Sequence, residues 1–193
     1  MLEIRSVAVF CGASSGDDPV YHREATRLGV ALAQAGLRLV YGGGRIGLMG
    51  AVADGALSTG GTVVGVIPDF LSQREVAHAG VSELIVTDSM HTRKRRMFEL
   101  ADAFVILPGG LGTYDETFEI LTWRQLGLHD KPVLLCNVAG SALPLLAAID
   151  SAIAAGFAAP VVRRLFDLVE GVSAVVDRLR AFSVEPAGQP GRL

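Results

Sequence analysis

The stretch from 107 to 116 combines residues suited to holding an anion with a residue that can act on the bound molecule. It follows a short apolar run and contains Gly109, Gly110 and Gly112 before a segment with helical periodicity. Glycine lets the backbone turn sharply and brings bare N–H groups close to a ligand. The positive end of the following helix favours an anion, above all a phosphate. Because Glu116 lies one turn inside that helix, we expect chemistry on a phosphorylated metabolite.

A second candidate lies within the basic run 93–96. At about 100° per residue, Arg93 shares the apolar face of its helix with Met97, whereas Arg95 points the opposite way. A guanidinium that is buried without an anion is strongly destabilising. We therefore expect Arg93 to turn inward. On the next helix Glu116 is also predicted to turn inward, either as the structural counter-ion of Arg93 or facing the same ligand.

Strand-like apolar runs alternate along the whole chain with segments of helical periodicity. The predicted strands are residues 6–11, 38–41, 62–67, 82–86, 104–107, 132–137 and a short one near 166–169. The predicted helices are residues 20–35, 47–59, 90–101, 113–126, 143–155 and 173–181. Continuous apolar strands are typical of a parallel sheet covered on both faces. The sequence thus predicts an α/β fold, a Rossmann-like doubly wound parallel sheet in a single domain over residues 1–182, followed by a disordered tail at 183–193.

Glycine-bearing turns follow three of these strands, at residues 11–16, 42–47 and 108–113. Ligands of open α/β sheets bind at the carboxyl ends of the strands, so we expect the three turns to form one nucleotide-sized pocket. The turn at 42–47 also matches the dinucleotide motif G-x-G-x-x-G, with Asp69 as a ribose partner. This match follows the second strand, and the residues that hydride transfer would need are missing. These two points argue against a dinucleotide-dependent dehydrogenase. A Walker A loop is absent as well, which argues against an ATPase.

The overall composition excludes several further classes of protein. A net charge of −3 over 193 residues does not suit binding to nucleic acid or to an anionic membrane. Cys11 and Cys136 each lie in an apolar run, which favours reduced thiols in the cytoplasm over a disulfide scaffold. The histidines lack the spacing of metal ligands or of a catalytic triad. Because these ligand spacings are missing, we expect no catalytic metal. Proline, aspartate and glycine interrupt the apolar segment 142–162, so we also expect no membrane span.

Three motifs together resemble a known family. They are YGGG with GLMG over residues 41–50, MHTRK with Met97, and PGG-x-GT-x-x-E over residues 108–116. This combination is similar to the LONELY GUY (LOG) family of cytokinin riboside 5′-monophosphate phosphoribohydrolases, long labelled possible lysine decarboxylases. The resemblance spans residues 6–182, and every motif position matches, with Asp115 standing where many relatives carry glutamate.

The resemblance implies hydrolysis of the N-glycosidic bond of an N6-modified adenosine 5′-monophosphate, by a homodimer that uses no cofactor. The products are the free base and ribose 5-phosphate. Arg93 and Glu116 match the family's two catalytic positions. Its substrate-binding positions correspond to Glu75, Lys94, Gly110, Leu111, Gly112, Thr113, Tyr114, Asp115 and Thr122. Further candidates for the nucleotide pocket are Gly43, Gly44, Met49 and Met97.

The residue types agree with this chemistry. Cleavage of an N-glycosidic bond passes through an oxocarbenium-like state, which a fixed carboxylate stabilises while it orients the attacking water. We assign this role to Glu116; Glu119 is the alternative acid, but it lies further from the positive end of the helix. Arg93 either positions the carboxylate or contacts the nucleotide.

Three other activities compete with this hypothesis. A purine nucleotide nucleosidase would act on plain AMP, and a non-catalytic carrier would bind a nucleotide or a pterin cofactor without turnover. Decarboxylation by pyridoxal phosphate requires a lysine that forms a Schiff base. Lys94, in the nucleotide signature, and Lys131, at the start of a strand, are the only lysines, so the sequence argues against a decarboxylase.

Overall fold

Seven parallel strands form one sheet in the computed structural model, which describes residues 3–72 and 77–184. The strands are β1 (Ser6–Phe10), β2 (Arg38–Tyr41), β3 (Val63–Pro68), β4 (Glu83–Thr87), β5 (Ala103–Ile106), β6 (Val133–Asn137) and β7 (Asp167–Glu170). Their order across the sheet is β4-β3-β2-β1-β5-β6-β7, and every pair is parallel. The predicted α/β fold with a doubly wound parallel sheet is confirmed.

Helices cover both faces of this sheet. They are α1 (Pro19–Gln34), α2 (Gly47–Ser58), α3 (Asp69–Ser72), α4 (Met90–Leu100), α5 (Leu111–Gln125), α6 (Leu143–Ala154) and α7 (Gly171–Val184), with a 3₁₀ helix at Pro160–Arg164. One core lies between the sheet and α1, α2 and α7, and the other lies between the sheet and α4, α5 and α6. Because both faces are covered, successive strand residues such as Val7 and Ala8 are equally buried. None of the helices among the described residues has the length and apolarity needed to cross a bilayer.

Two short helices of the structure, α3 and the 3₁₀ helix, were not predicted, and several predicted elements begin or end one to three residues away from the observed bounds. The short helix α3 follows β3 directly and was not predicted. Helix α5 begins at Leu111, two residues earlier than predicted, because Gly110 already serves as its extended N-cap. Helix α7 extends to Val184, two residues into the predicted tail. The rest of that tail, residues 185–193, and the predicted substrate contact Glu75 lie outside the described residues.

The chain reverses its direction across the sheet at β1. From β1 it proceeds to β2, β3 and β4 on one side, then returns over the sheet through α4 to β5 on the other side of β1. Such a switch point opens a crevice at the carboxyl ends of the two central strands. Helices α4 and α5 flank it, and Phe98 of α4 packs edge-on against Trp123 of α5 with ring centroids 5.1 Å apart. This aromatic contact helps to set the position of α4, which carries Arg93, relative to α5, which carries Glu116.

Candidate active site

A cavity of about 690 Å³ lies at the switch point, in the size range of small-molecule sites. Its wall includes the turn after β1, Gly42 at the end of β2 and the turn after β5. Gly12 joins these parts, since its N–H donates to Pro108 O at 3.0 Å and its carbonyl accepts from Leu48 N at 3.0 Å. The predicted convergence of the glycine turns is therefore observed, although the second turn contributes only its first glycine and the start of α2.

The N-terminus of α5 is the anion-binding end of the cavity. The amides of Leu111, Gly112 and Thr113 donate to no acceptor among the described residues, and all three residues line the cavity. Unpaired first-turn amides, together with the helix dipole, form a site for a phosphate.

Three other helices, α1, α2 and α4, have acceptors within the protein for amides of their first turns. The carbonyl of Gly12 accepts from the first amides of α2, the side chain of Asp18 accepts from α1, and the side chain of Ser89 accepts from α4. In contrast to these three helices, α5 presents its first amides to the cavity without an acceptor among the described residues.

The three glycines around the N-terminus of α5 have different roles. A Cβ on Gly109 would collide with the Thr113 side chain and would lie 2.9 Å from Gly12 N, so this position is closed to any larger residue. A Cβ on Gly110 or Gly112 would meet nothing within 4 Å. Gly109 therefore allows the turns to pack closely, whereas Gly110 and Gly112 present open backbone to a ligand.

Arg93 is buried, with 6% of its surface exposed, and main-chain carbonyls hold its guanidinium. Nε donates to Val66 O at 3.0 Å, and Nη2 donates to Gly42 O at 3.2 Å. Nη1 lies 3.3 Å from Glu116 Oε1. The guanidinium thus links the ends of β3 and β2 to α5. The predicted inward orientation of Arg93 is observed. It contacts Glu116, as the counter-ion alternative requires, and both residues also line the cavity, as the common-ligand alternative requires.

Glu116 is 7% exposed and lines the cavity. Burial raises the pKa of Glu116 to about 7, against the opposing effect of the Arg93 charge. The 3.3 Å contact with Arg93 is longer than a tight charged hydrogen bond, and no described residue donates to Oε2. A carboxyl whose pKa is near neutrality and whose second oxygen is free can exchange a proton with a water or a substrate in the cavity.

Lys94 forms a second link between α4 and α5, in addition to the contact of Arg93 with Glu116. Its Nζ lies 3.0 Å from Asp115 Oδ2 and 3.2 Å from Glu119 Oε2. Burial lowers the pKa of Lys94, but the hydrogen bonds and charges of the two carboxylates outweigh burial and raise it. Glu119, the alternative acid, is therefore occupied by Lys94 and does not line the cavity.

The predicted site residues divide into two groups. Those that line the cavity are Arg93, Glu116, Gly110, Leu111, Gly112, Thr113, Tyr114, Met49 and Met97. Those in the described part of the chain that do not line it are Lys94, Asp115, Thr122, Gly43 and Gly44. Thr122 lies on the exposed face of α5, and Gly43 packs against Ile67. Trp123, on the same helix as Glu116, packs on Phe98 and does not line the cavity.

Sequence reasoning assigned no individual role to several cavity residues. They are Gly12, Ala13, Ser14, Ser15, Gly16, Tyr21, Leu71, Met90 and Ser141. The turn at 11–16 did carry a signal, since its glycines follow the first strand. Tyr21 and Ser141 carried none, because they come from elements that meet the cavity only in the folded chain.

The arrangement does not suit a pyridoxal-dependent decarboxylase. Lys94 is paired with two carboxylates, and Lys131 Nζ donates to Phe98 O at 2.7 Å while lying over the Phe98 ring. Neither lysine lines the cavity. Within residues 3–72 and 77–184, no group of three or more His, Cys, Asp or Glu side chains is placed to hold a metal ion.

Solved structures with the same fold include two proteins connected with the molybdenum cofactor. The molybdenum cofactor binding protein from Rippkaea orientalis matches with a TM-score of 0.69 and 20% identity, over 95% of this chain and 99% of that chain. The molybdenum cofactor carrier protein from Chlamydomonas reinhardtii matches with a TM-score of 0.69 and 23% identity, over 93% and 99%. At these identities the likeness shows the fold alone.

Sequence relatives are considerably more similar. The cytokinin riboside 5′-monophosphate phosphoribohydrolase of Rhodococcoides fascians is 48% identical over 92% of this chain and 90% of the relative. The enzyme of the same name, LOG2, from Arabidopsis thaliana is 45% identical over 83% of this chain and 76% of the relative. The family model described as "Possible lysine decarboxylase" matches residues 49–179. With the motifs, the fold and these relatives in agreement, the chain belongs to the LONELY GUY (LOG) family.

Proposed function

We propose that this protein hydrolyses the N-glycosidic bond of N6-modified adenosine 5′-monophosphates to the free base and ribose 5-phosphate. The observation that carries the proposal is the buried carboxyl of Glu116, which faces the same cavity as the unpaired amides of α5. The names of the relatives support the same reaction. The reaction needs water as its second substrate and no cofactor.

The substrate lies with its 5′-phosphate on the amides of Leu111, Gly112 and Thr113. This anchor places the ribose beside Glu116, one turn further along α5. The remaining wall is largely apolar and includes Leu48, Met49, Leu71, Met90 and Met97. An apolar wall of this kind favours a base that carries a hydrocarbon substituent, which supports an N6-modified substrate over plain AMP.

Glu116 and Arg93 are the proposed catalytic residues. As the bond between the sugar and the base breaks, positive charge develops on the sugar, and the Glu116 carboxylate stabilises it. The carboxylate also orients a water and accepts its proton while the hydroxyl adds to the sugar carbon. The departing base takes a proton from solvent, and Glu116 then releases its proton to solvent, so that one water is consumed in each turnover. Arg93 orients Glu116, since its other acceptors are fixed carbonyls.

The proposal is tested by incubating the protein with N6-isopentenyladenosine 5′-monophosphate, with AMP, and with the unphosphorylated N6-isopentenyl riboside. Chromatography should show free isopentenyladenine from the first compound and much less base from the other two. Equal rates with AMP would instead support a general purine nucleotide nucleosidase. Tight retention of nucleotide without any release of base would support a non-catalytic carrier and contradict the proposal.

The roles of the other matched positions belong to the same proposal. Glu75, Lys94, Asp115 and Thr122 correspond to substrate-binding positions of the family, and we propose that they approach the nucleotide in a homodimer. The exposed apolar residues Leu111 (87%) and Phe118 (42%) on α5 support a contact with a second copy. Light scattering after gel filtration tests the dimer. We further propose a cytoplasmic protein of one domain over residues 1–182 that binds no nucleic acid, consistent with the net charge of −3.

A further inference from the structure

His78 and Asp54 form a hydrogen-bonded pair, and neither residue lines the cavity. The imidazole is 8% exposed, and its Nε2 lies 2.9 Å from Asp54 Oδ1. The backbone N–H of Gly80 donates to Nδ1 at 3.1 Å. Because Nδ1 accepts this hydrogen bond, the ring proton must reside on Nε2, from which it is donated to Asp54. Both ring nitrogens are therefore engaged, and the position of the ring is fixed.

The backbone beside this ring holds the glycine loop, residues 42–44, which carries no side chains of its own. His78 N donates to Gly43 O at 3.1 Å, and Ala77 pairs with Gly44 in an antiparallel bridge. Gly43 has a φ of 79°, a conformation that disfavours any residue with a side chain. A loop without side chains depends on such external hydrogen bonds for its position.

The same loop supplies one of the acceptors of Arg93. Gly42 O accepts from Arg93 Nη2 at 3.2 Å, and a Cβ at Gly42 would collide with that guanidinium. A continuous series of contacts therefore leads from Asp54 through His78 and the glycine loop to Arg93, and from there to Glu116.

We propose that His78 is a positioning residue for the active site, with Asp54 as its anchor. The pair holds the glycine loop in the place from which the Gly42 carbonyl orients Arg93 toward Glu116. The kinetic part of this inference rests on the proposed hydrolase function, and its structural part does not.

The sharpest test is Asp54→Ala, because the Asp54 side chain is 67% exposed and outside the cavity, so its removal should spare the fold. We expect kcat to fall about tenfold with KM nearly unchanged, since a 1 Å displacement of a catalytic group can cost about 10²-fold. Asp54→Asn keeps the Oδ1 acceptor and should restore kcat. Asp177→Ala, which removes an exposed helical aspartate paired with Arg180, serves as the control for surface truncation.

A second readout separates this inference from the proposed function. The Nη2–H resonances of Arg93, which report on the hydrogen bond to Gly42 O, should shift and lose their exchange protection in a ¹⁵N-correlated NMR spectrum of Asp54→Ala, but not of Asp54→Asn or Asp177→Ala. If these resonances change in this way while the wild type lacks hydrolase activity, the proposed function fails and the positioning role stands. Unchanged Arg93 Nη2–H resonances in Asp54→Ala overturn the positioning role, whatever happens to kcat.

Discussion

Replacing Glu116 with glutamine tests the central role assigned to this side chain. The substitution keeps the size of the group and its contact with Arg93 but removes the negative charge. Because the carboxyl is 7% exposed, little water is present to replace the charge in the transition state. Loss of one preorganised electrostatic group typically costs about 10²–10³ in kcat, which corresponds to about 3–4 kcal/mol of transition-state stabilisation.

The matched control is Glu119→Gln, which makes the same chemical change one turn further along α5. Glu119 pairs with Lys94 and does not line the cavity, so its kcat should stay within about threefold of the wild type if charge at the cavity is what matters. Initial rates of base release from N6-isopentenyladenosine 5′-monophosphate are measured for both variants at saturating substrate. Circular dichroism and thermal unfolding confirm that both variants are folded.

The pH dependence of kcat/KM provides a second test of the same assignment. With the pKa of Glu116 at about 7, kcat/KM of the wild type should rise as pH increases through 7, because the carboxylate is the active form. The residual kcat/KM of Glu116→Gln should not show this rise through pH 7. Full turnover by Glu116→Gln, or a larger loss in Glu119→Gln, would refute the assignment of the catalytic carboxylate.

Stability, backbone geometry and thiol reactivity provide further measurements. The folded-state pKa of Glu116, about 7, exceeds its ordinary value of 4.5, so its contribution to stability is full below pH 4.5 and is lost as pH rises through 7. Urea unfolding at pH 5 and pH 8 should show the wild type losing about 2–3 kcal/mol relative to Glu116→Gln, and equal pH dependence would contradict the raised pKa. Gly109→Ala should raise KM about tenfold or more by displacing the phosphate-binding turn, and an unchanged KM would show that the turn adapts. Gly42→Ala should lower kcat more than it raises KM, because the new methyl group meets Arg93; a change in KM alone would argue against that contact. Burial raises the pKa of the Cys11 thiol, so the native protein should react with a disulfide reagent at pH 8 far more slowly than the urea-unfolded chain.

Much of the site could be predicted from the sequence, because the patterns that indicate it lie within a few residues of each other. The periodicity of α4 placed Arg93 on the inward face, and the glycines before α5 indicated a turn onto a helix N-terminus. Both inferences depend only on residues a few positions apart, where helix geometry determines which side chains share a face. The order of apolar runs likewise predicted the sheet and its covered faces.

The hydrogen-bond partners of these residues were harder to predict, because many of them are main-chain atoms from distant parts of the sequence. Val66 O holds Arg93 across 27 positions of sequence, and Gly12 O caps α2, yet a carbonyl has no residue-type signature. The first residue of α5 was missed for a related reason. Gly110 caps the helix through its own extended backbone, without the side-chain oxygen that usually marks an N-cap.

The way in which Arg93 is held also determines where the activity is vulnerable to mutation. A main-chain carbonyl survives every substitution at its own position, so no codon change at Val66 can delete that acceptor. In a saturation library, position 66 should therefore accept any residue that a buried strand tolerates, whereas inactivating changes should concentrate at Arg93, at Glu116 and at the glycines that shape the backbone. The direction of the guanidinium is therefore set by backbone atoms, and it changes only when the backbone of β3 or of the glycine loop moves.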